Sequence, residues 1–220
     1  MAVEVSTRST LTRNVEETAH RGARLAGLLF LGVSGAFLTV TMLAASIAPD
    51  YDFHGAAISD LGVIAETAGL FNGLLVAIGL MNAAAGYLLY RGQRRPWRTT
   101  TFVLAGVGAV GAGLFPLSTG GLHTIFALLA FVGFNLEVLV AATTLIGPMR
   151  VLGYLAGGVG LLYAAVMVAG DSGNAGLFGP IGHGGSERMI AYPAMLWLLA
   201  FGGSLSAPAV RAEGARSSPE

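Results

Sequence analysis

The sequence predicts an all-α protein, a polytopic bundle of six transmembrane helices with both termini on the cytoplasmic side. Three observations predict it. Hydrophobic residues fill 54% of the 220 positions and charged residues only 11%, against roughly 25% charged in an ordinary soluble domain. Apolar runs of about 20 residues, the length that crosses a bilayer, recur six times along the chain. The arginines alternate with those runs as expected when basic flanks stay on the inner side. Mean hydropathy is +0.71. A chain this apolar lacks the polar surface of a soluble enzyme. With 12 basic and 12 acidic residues the formal net charge is zero, which gives no basic footprint for nucleic acid. There is no cysteine, so disulfides, thiolate metal sites and cysteine nucleophiles are excluded.

Taken in order, residues 1–22 form a polar cytoplasmic tail, 23–206 the transmembrane domain and 207–220 a polar C-terminal tail. Both tails are expected to be disordered near their ends. The first run, Leu25–Ala48, is too long and too deep in the chain for a cleaved signal peptide. The second, Ala65–Tyr90, follows Ser59 and Asp60, either of which could cap a helix. The third, Thr100–Leu117, is thinned by Gly106, Gly108, Gly111 and Gly113. The fourth, His123–Ile146, leaves the tight turn FPLSTGGLH; the fifth is Val151–Ala169. The sixth, Met189–Ser206, follows GPIGHGGSER. Glycine is used 33 times, about twice the average rate. The pairs Gly69/Gly73 and Gly153/Gly157 have the small-residue spacing that lets membrane helices approach closely.

Orientation follows from arginine. With the N-terminus inside, the inner segments hold Arg8, Arg13, Arg21, Arg24, Arg91, Arg94, Arg95, Arg98, Arg150, Arg211 and Arg216. Only Arg188 falls outside, and every basic residue is arginine. The expected location is the plasma membrane, as a multi-pass protein whose partner is the bilayer.

That topology sorts the ionisable residues. His54, His123 and His183 fall in the three outer loops with Asp50, Asp52, Asp60, Asp171 and Glu187, while His20 lies inside. Three neutral imidazoles and Asp60 would complete a tetrahedral zinc shell, or three of them would leave a position for water. Zinc-bound water is a nucleophile at neutral pH. A helix N-terminus favours the neutral form of His123. The chain has no HExxH or HxxxH pair, and the same side chains can equally cap helices, join loops and touch lipid headgroups. Ser59 reads as a nucleophile with a histidine base or as a cap. Glu187 reads as a base. Arg188 reads as a clamp for phosphate or carboxylate, or as a headgroup contact. Within the spans, Glu137 is a functional candidate because an ionisable group in lipid needs a partner or a proton. It follows His123 by 14 residues, roughly 21 Å deeper at 1.5 Å per residue. Asn72, Asn82 and Asn135 read as interhelical hydrogen-bonding residues.

HGAAISDLG (54–62), the following Phe71 and Asn72, the GLFPLSTGGLH turn and the closing GHGGSERMIAYP resemble a prokaryotic membrane family, domain of unknown function 998. The wording is especially similar to haloarchaeal members. The resemblance implies six spans and a membrane location. It coincides with His54, Ser59, Asp60, His123, Glu187 and Arg188, and it implies no activity. A Ser, Asp and three His at one membrane face is also similar to the alkaline ceramidase and progestin receptor-like hydrolases. This chain departs from them in having six runs rather than seven and no HxxxH pair. Three functions stay open: metal-assisted hydrolysis or transfer on a lipid or small anionic headgroup, a small proton- or ion-coupled transporter using Glu137, and a non-catalytic assembly protein. Oligomeric state is open too.

Overall fold

The structure, a computed structural model, describes residues 2–91 and 96–207, with side chains from residue 17 onward. Six long helices follow one another: α1 (Ala2–Ile47), α2 (Ala68–Tyr90), α3 (Pro96–Leu114), α4 (Gly121–Ala142), α5 (Pro148–Asp171) and α6 (Gly182–Ser206). Short 3₁₀ turns occupy Ile58–Gly62, Leu117–Thr119 and Ala175–Ile181. The described residues contain no strand. Five segments are long and apolar enough to cross a membrane: Glu17–Ile47, Ala68–Tyr90, Gly121–Ala142, Pro148–Asp171 and Ala175–Ser206. The third expected run differs from these. The start of α3 carries Trp97, Arg98 and three threonines, which dilute its hydropathy. It packs between α2 and α4.

Sequence neighbours pack on each other, and α1 packs on α6 to close the ring, with α4 also touching α6. The sequence neighbours and the α1–α6 pair are antiparallel, while α4 and α6 run parallel. Along α1, Gly22 faces Leu88 of α2, and Gly32, further on, faces the earlier Met81. Along α5, Gly153 meets Ala142 and Gly157 meets Leu139 of α4. Likewise Gly27 meets Gly202, while Phe37 meets Tyr192 edge to face. The loops 48–67, 115–120 and 172–181 therefore gather at one end, and the start of the α1 span and the end of α6 lie at the other. Phe30, Phe102, Phe201 and Tyr90 form the aromatic centre of the bundle, with ring centroids 5.4–5.8 Å apart. Outside it, Leu80, Ile125, Leu155 and Leu162 stand exposed. That arrangement suits lipid and would be costly in water, so the chain is an integral membrane protein.

Several boundaries differ from expectation. The N-terminal segment expected to be irregular is helical from Ala2. Helix α2 starts at Ala68 with Thr67 at its cap position, so Ser59 and Asp60 do not cap it; they belong to the separate turn Ile58–Gly62. Helix α6 starts seven residues earlier than the apolar run, because hydropathy ignores the polar but helix-compatible GHGGSER. Gly69 and Gly73 meet nothing within 4 Å and are not a packing seam. Gly79 and Gly106 instead face each other backbone to backbone across α2 and α3. Residues 92–95, with Arg94 and Arg95, and the tail from 208, with Arg211 and Arg216, lie outside the described residues.

Candidate functional site

The loop 48–67 is pinned by the first two turns of α6. Glu187 is buried, and its Oε2 accepts the N–H groups of Ile58 and Ser59, the latter at 3.3 Å. The Ser59 side chain also hydrogen-bonds this carboxyl group. Next to it, the Arg188 guanidinium donates to the carbonyls of Phe53 (3.0 Å), Ala56 (3.2 Å) and Gly184 (2.7 Å), and to the Tyr51 hydroxyl (2.7 Å). It also sits 4.6 Å over the Phe53 ring, a cation–π distance. Glu187 thus takes the loop's donors while Arg188 takes its acceptors. Partial burial pushes the Tyr51 hydroxyl up to about 12. It stays protonated near neutral pH and donates to the Ala57 carbonyl at 2.7 Å.

Smaller bonds complete the loop. Asp52 accepts the N–H groups of His54 (3.0 Å) and Gly55 (2.8 Å), and those bonds hold its carboxyl below the usual carboxylate range. Asp60 accepts the Ala57 N–H at 2.7 Å, capping its own turn. Asn72 donates to the Gly62 carbonyl at 2.8 Å. Gly184 donates to the His54 carbonyl at 3.0 Å, and a Cβ on Gly184 would lie 2.7 Å from the Phe53 oxygen. Only glycine allows that approach.

Beneath this loop lies a cavity of about 390 Å³. Ser59, Asp60, His123, Asp171, His183 and Glu187 line its polar part. Leu128, Phe131, Met167, Val168 and Ile190 line the rest, from α4, α5 and α6. A second, apolar chamber of about 50 Å³ shares Ser59, His123, Phe131, Glu187 and Ile190 with it. This chamber continues inward among Phe37, Phe71, Ile78, Phe134 and Met195.

Two histidines in the cavity have their tautomers set by their partners. His123 is 5% exposed, and its Nδ1 lies 2.8 Å from the Phe115 carbonyl. A carbonyl only accepts, so Nδ1 donates to it, and Nε2 is the ring nitrogen left facing the cavity. Nε2 has no hydrogen-bond partner among the described residues. His183 Nε2 lies 3.1 Å from Asp171 Oδ1, the arrangement in which a carboxylate orients an imidazole.

The expected ligand set is not assembled. Among the described residues no group of three or more His, Asp or Glu side chains is placed to hold one metal ion. His54 is exposed and stands over the Gly182 backbone, outside the cavity that Asp60, His123 and His183 line. These residues do not fit the tetrahedral zinc shell. Arg188 likewise does not line the cavity; its donors are taken up by the loop.

Of the polar residues within the spans, Asn135 donates to the Ile190 carbonyl at 3.0 Å and so ties α4 to α6. Asn82 donates to Glu137 at 2.7 Å and to the Phe102 carbonyl at 3.2 Å. Glu137 is fully buried, and its Oε1 has no hydrogen-bond partner among the described residues. It lines neither cavity.

A family model described as "Protein of unknown function (DUF998)" matches residues 16–204. The chain belongs to the DUF998 family. That match reaches into all six helices and includes every residue of the cavity. No curated protein matches the chain, and no solved structure does. Within this DUF998 chain, sequence reasoning did not single out the Asp171–His183 pair or Tyr51. The pair could have been found from its position: Asp171 ends one long apolar run, and His183 follows twelve residues later, just before the next.

Proposed function

We propose that this DUF998 protein binds an amphiphilic, lipid-like molecule at the outer face of the membrane and catalyses hydrolysis or group transfer at its polar end. The reading includes six spans, with both termini on the cytoplasmic side of the plasma membrane. One observation carries it: a cavity of about 390 Å³ is polar at its loop end and apolar along α4, α5 and α6. Its size falls within the usual range for small-molecule sites, and its two-part lining matches a molecule with a polar end and a tail. His123 serves as general base, since its Nε2 lone pair opens on the cavity where a water or hydroxyl proton would be removed. Asp171 orients His183 as a second proton acceptor. Glu187 and Arg188 hold the loop that roofs the site and position Ser59. The role considered for Arg188 as an anion clamp passes out of this reading, as does a metal held by four protein ligands.

The test is turnover by purified protein in nanodiscs carrying a mixture of lipids and long-chain amphiphiles, followed by mass spectrometry. The expected result is a product altered at the polar end, formed at least about a hundredfold more slowly by His123→Gln, the scale of a general-base contribution. No product from any amphiphile, or full activity in His123→Gln, would overturn the proposal.

A further inference from the structure

We propose that the polar end recognised in this cavity is a protonated amine rather than a phosphate; the inference rests on the amphiphile reading above and names its ligand class. The charges around the cavity carry it. Asp60, Asp171 and Glu187 line it, and no arginine does among the described residues. The chain has no lysine. Arg188, the one guanidinium at this end among the described residues, is turned to loop carbonyls and Tyr51. Among the described residues, the only groups facing the cavity that can carry positive charge are His123 and His183, and His183 is already paired with Asp171.

The carboxylates keep acceptor capacity for a ligand. Asp60 uses Oδ2 for the Ala57 N–H, and Asp171 uses Oδ1 for His183. The second oxygen of each has no hydrogen-bond partner among the described residues. An ammonium group supplies three donors and satisfies such oxygens with charge-assisted bonds. A phosphate would meet the same carboxylates as like charges, at the edge of a low-dielectric interior where repulsion is poorly screened. Phe131, on the wall between the polar and apolar parts, adds an aromatic ring, a group whose face attracts cations. Beside these, the His123 side chain, only 5% exposed, brings to the same wall an Nε2 with no hydrogen-bond partner among the described residues. An uncharged amine in equilibrium with its ammonium form could also donate to it.

The experiment uses the full chain in nanodiscs of zwitterionic lipid, with empty nanodiscs as the partition control. Dodecylamine, dodecyl maltoside and dodecyl phosphate share one tail and differ in the head. Binding is read by calorimetry. Dodecylamine is expected to bind at least tenfold more tightly than dodecyl phosphate. Asp171→Asn is expected to weaken dodecylamine several-fold more than it weakens dodecyl maltoside. If dodecyl phosphate binds as tightly or more tightly, the amine assignment falls and the amphiphile site stands. If no amphiphile binds above the empty-nanodisc level, the amphiphile reading itself falls, and this inference with it. Should Asp171→Asn fail to fold, the amine-to-phosphate ratio in the unaltered protein decides alone.

Discussion

Replacing Arg188 by alanine removes the donor from two loop carbonyls, the Gly184 carbonyl of its own helix and the Tyr51 hydroxyl at once. Bonds from a charged donor are stronger than neutral ones, so Arg188→Ala is expected to lower stability by about 2–3 kcal/mol. Arg188→Lys recovers only part of this, because an ammonium cannot reproduce the planar fork or its stacking on Phe53. Thermal unfolding in one detergent checks both variants; a loss under about half a kcal/mol in Arg188→Ala would show that the loop is held by something else. This residue marks what the sequence could and could not reveal. Its place at the opposite end of the bundle from Arg21, Arg24, Arg91, Arg98 and Arg150 was legible from the charge alternation. Its role was not, because whether a guanidinium faces a ligand or its own backbone depends on how loop 48–67 folds onto α6. His54 lies apart from the cavity for a related reason: His123, in α4, is held by the Phe115 carbonyl, while His54 is held by its backbone and left exposed.

At the scale of helices, apolar runs located all six elements, but their contacts obeyed backbone geometry that spacing alone does not reveal. Gly69 and Gly73 carry the small-xxx-small spacing and yet face open space, whereas Gly79 of the same helix lies against Gly106 and Val110 of α3. A Cβ on Gly79 would come 2.8 Å from the Val110 nitrogen, and backbone there cannot move aside cheaply. Gly79→Ala is therefore expected to destabilise by about 1–3 kcal/mol, the usual scale of overpacking. Gly73→Ala, in the interior of the same helix with nothing within 4 Å, should be neutral or gain up to about 1 kcal/mol from helix propensity. Thermal midpoints of the pair settle which glycines form the seam. Equal effects, or the reverse order, would mean that α2 and α3 do not meet at Gly79. The same seam explains α3 itself. Its glycines are covered by Ala83, Ala130 and Phe126 or by α2 backbone, so a helix of modest hydropathy can sit among more apolar neighbours.

Across the whole molecule, opposite chemistries sit at opposite ends. Arg21, Arg24, Arg91, Arg98 and Arg150 belong to the end where the α1 span begins and α6 finishes, while His54, His123, His183, Asp60 and Asp171 belong to the other. The zero net charge of the chain conceals this separation, yet the alternation of arginine with apolar runs already foretold it, since each connection inherits its side from the number of crossings before it. What could not be foretold was which outer residues meet, because that depends on the rotation of each helix about its axis. The separation has a direct consequence for labelling. The chain contains no cysteine, so single cysteines can be placed without removing any. Ser118 lies exposed in the connection between α3 and α4, and Ile146, 87% exposed, lies in the connection between α4 and α5. Only α4 separates the two connections. In sealed cells, a membrane-impermeant maleimide should label Ser118→Cys and leave Ile146→Cys unlabelled until the membrane is opened, as basic segments on the inner side require. The reversed pattern would invert the protein and move the proposed site to the inner leaflet. Equal labelling of both positions before permeabilisation would mean that α4 does not cross, despite 22 residues of apolar helix about 33 Å long at 1.5 Å per residue, and the six-span arrangement would fall with it.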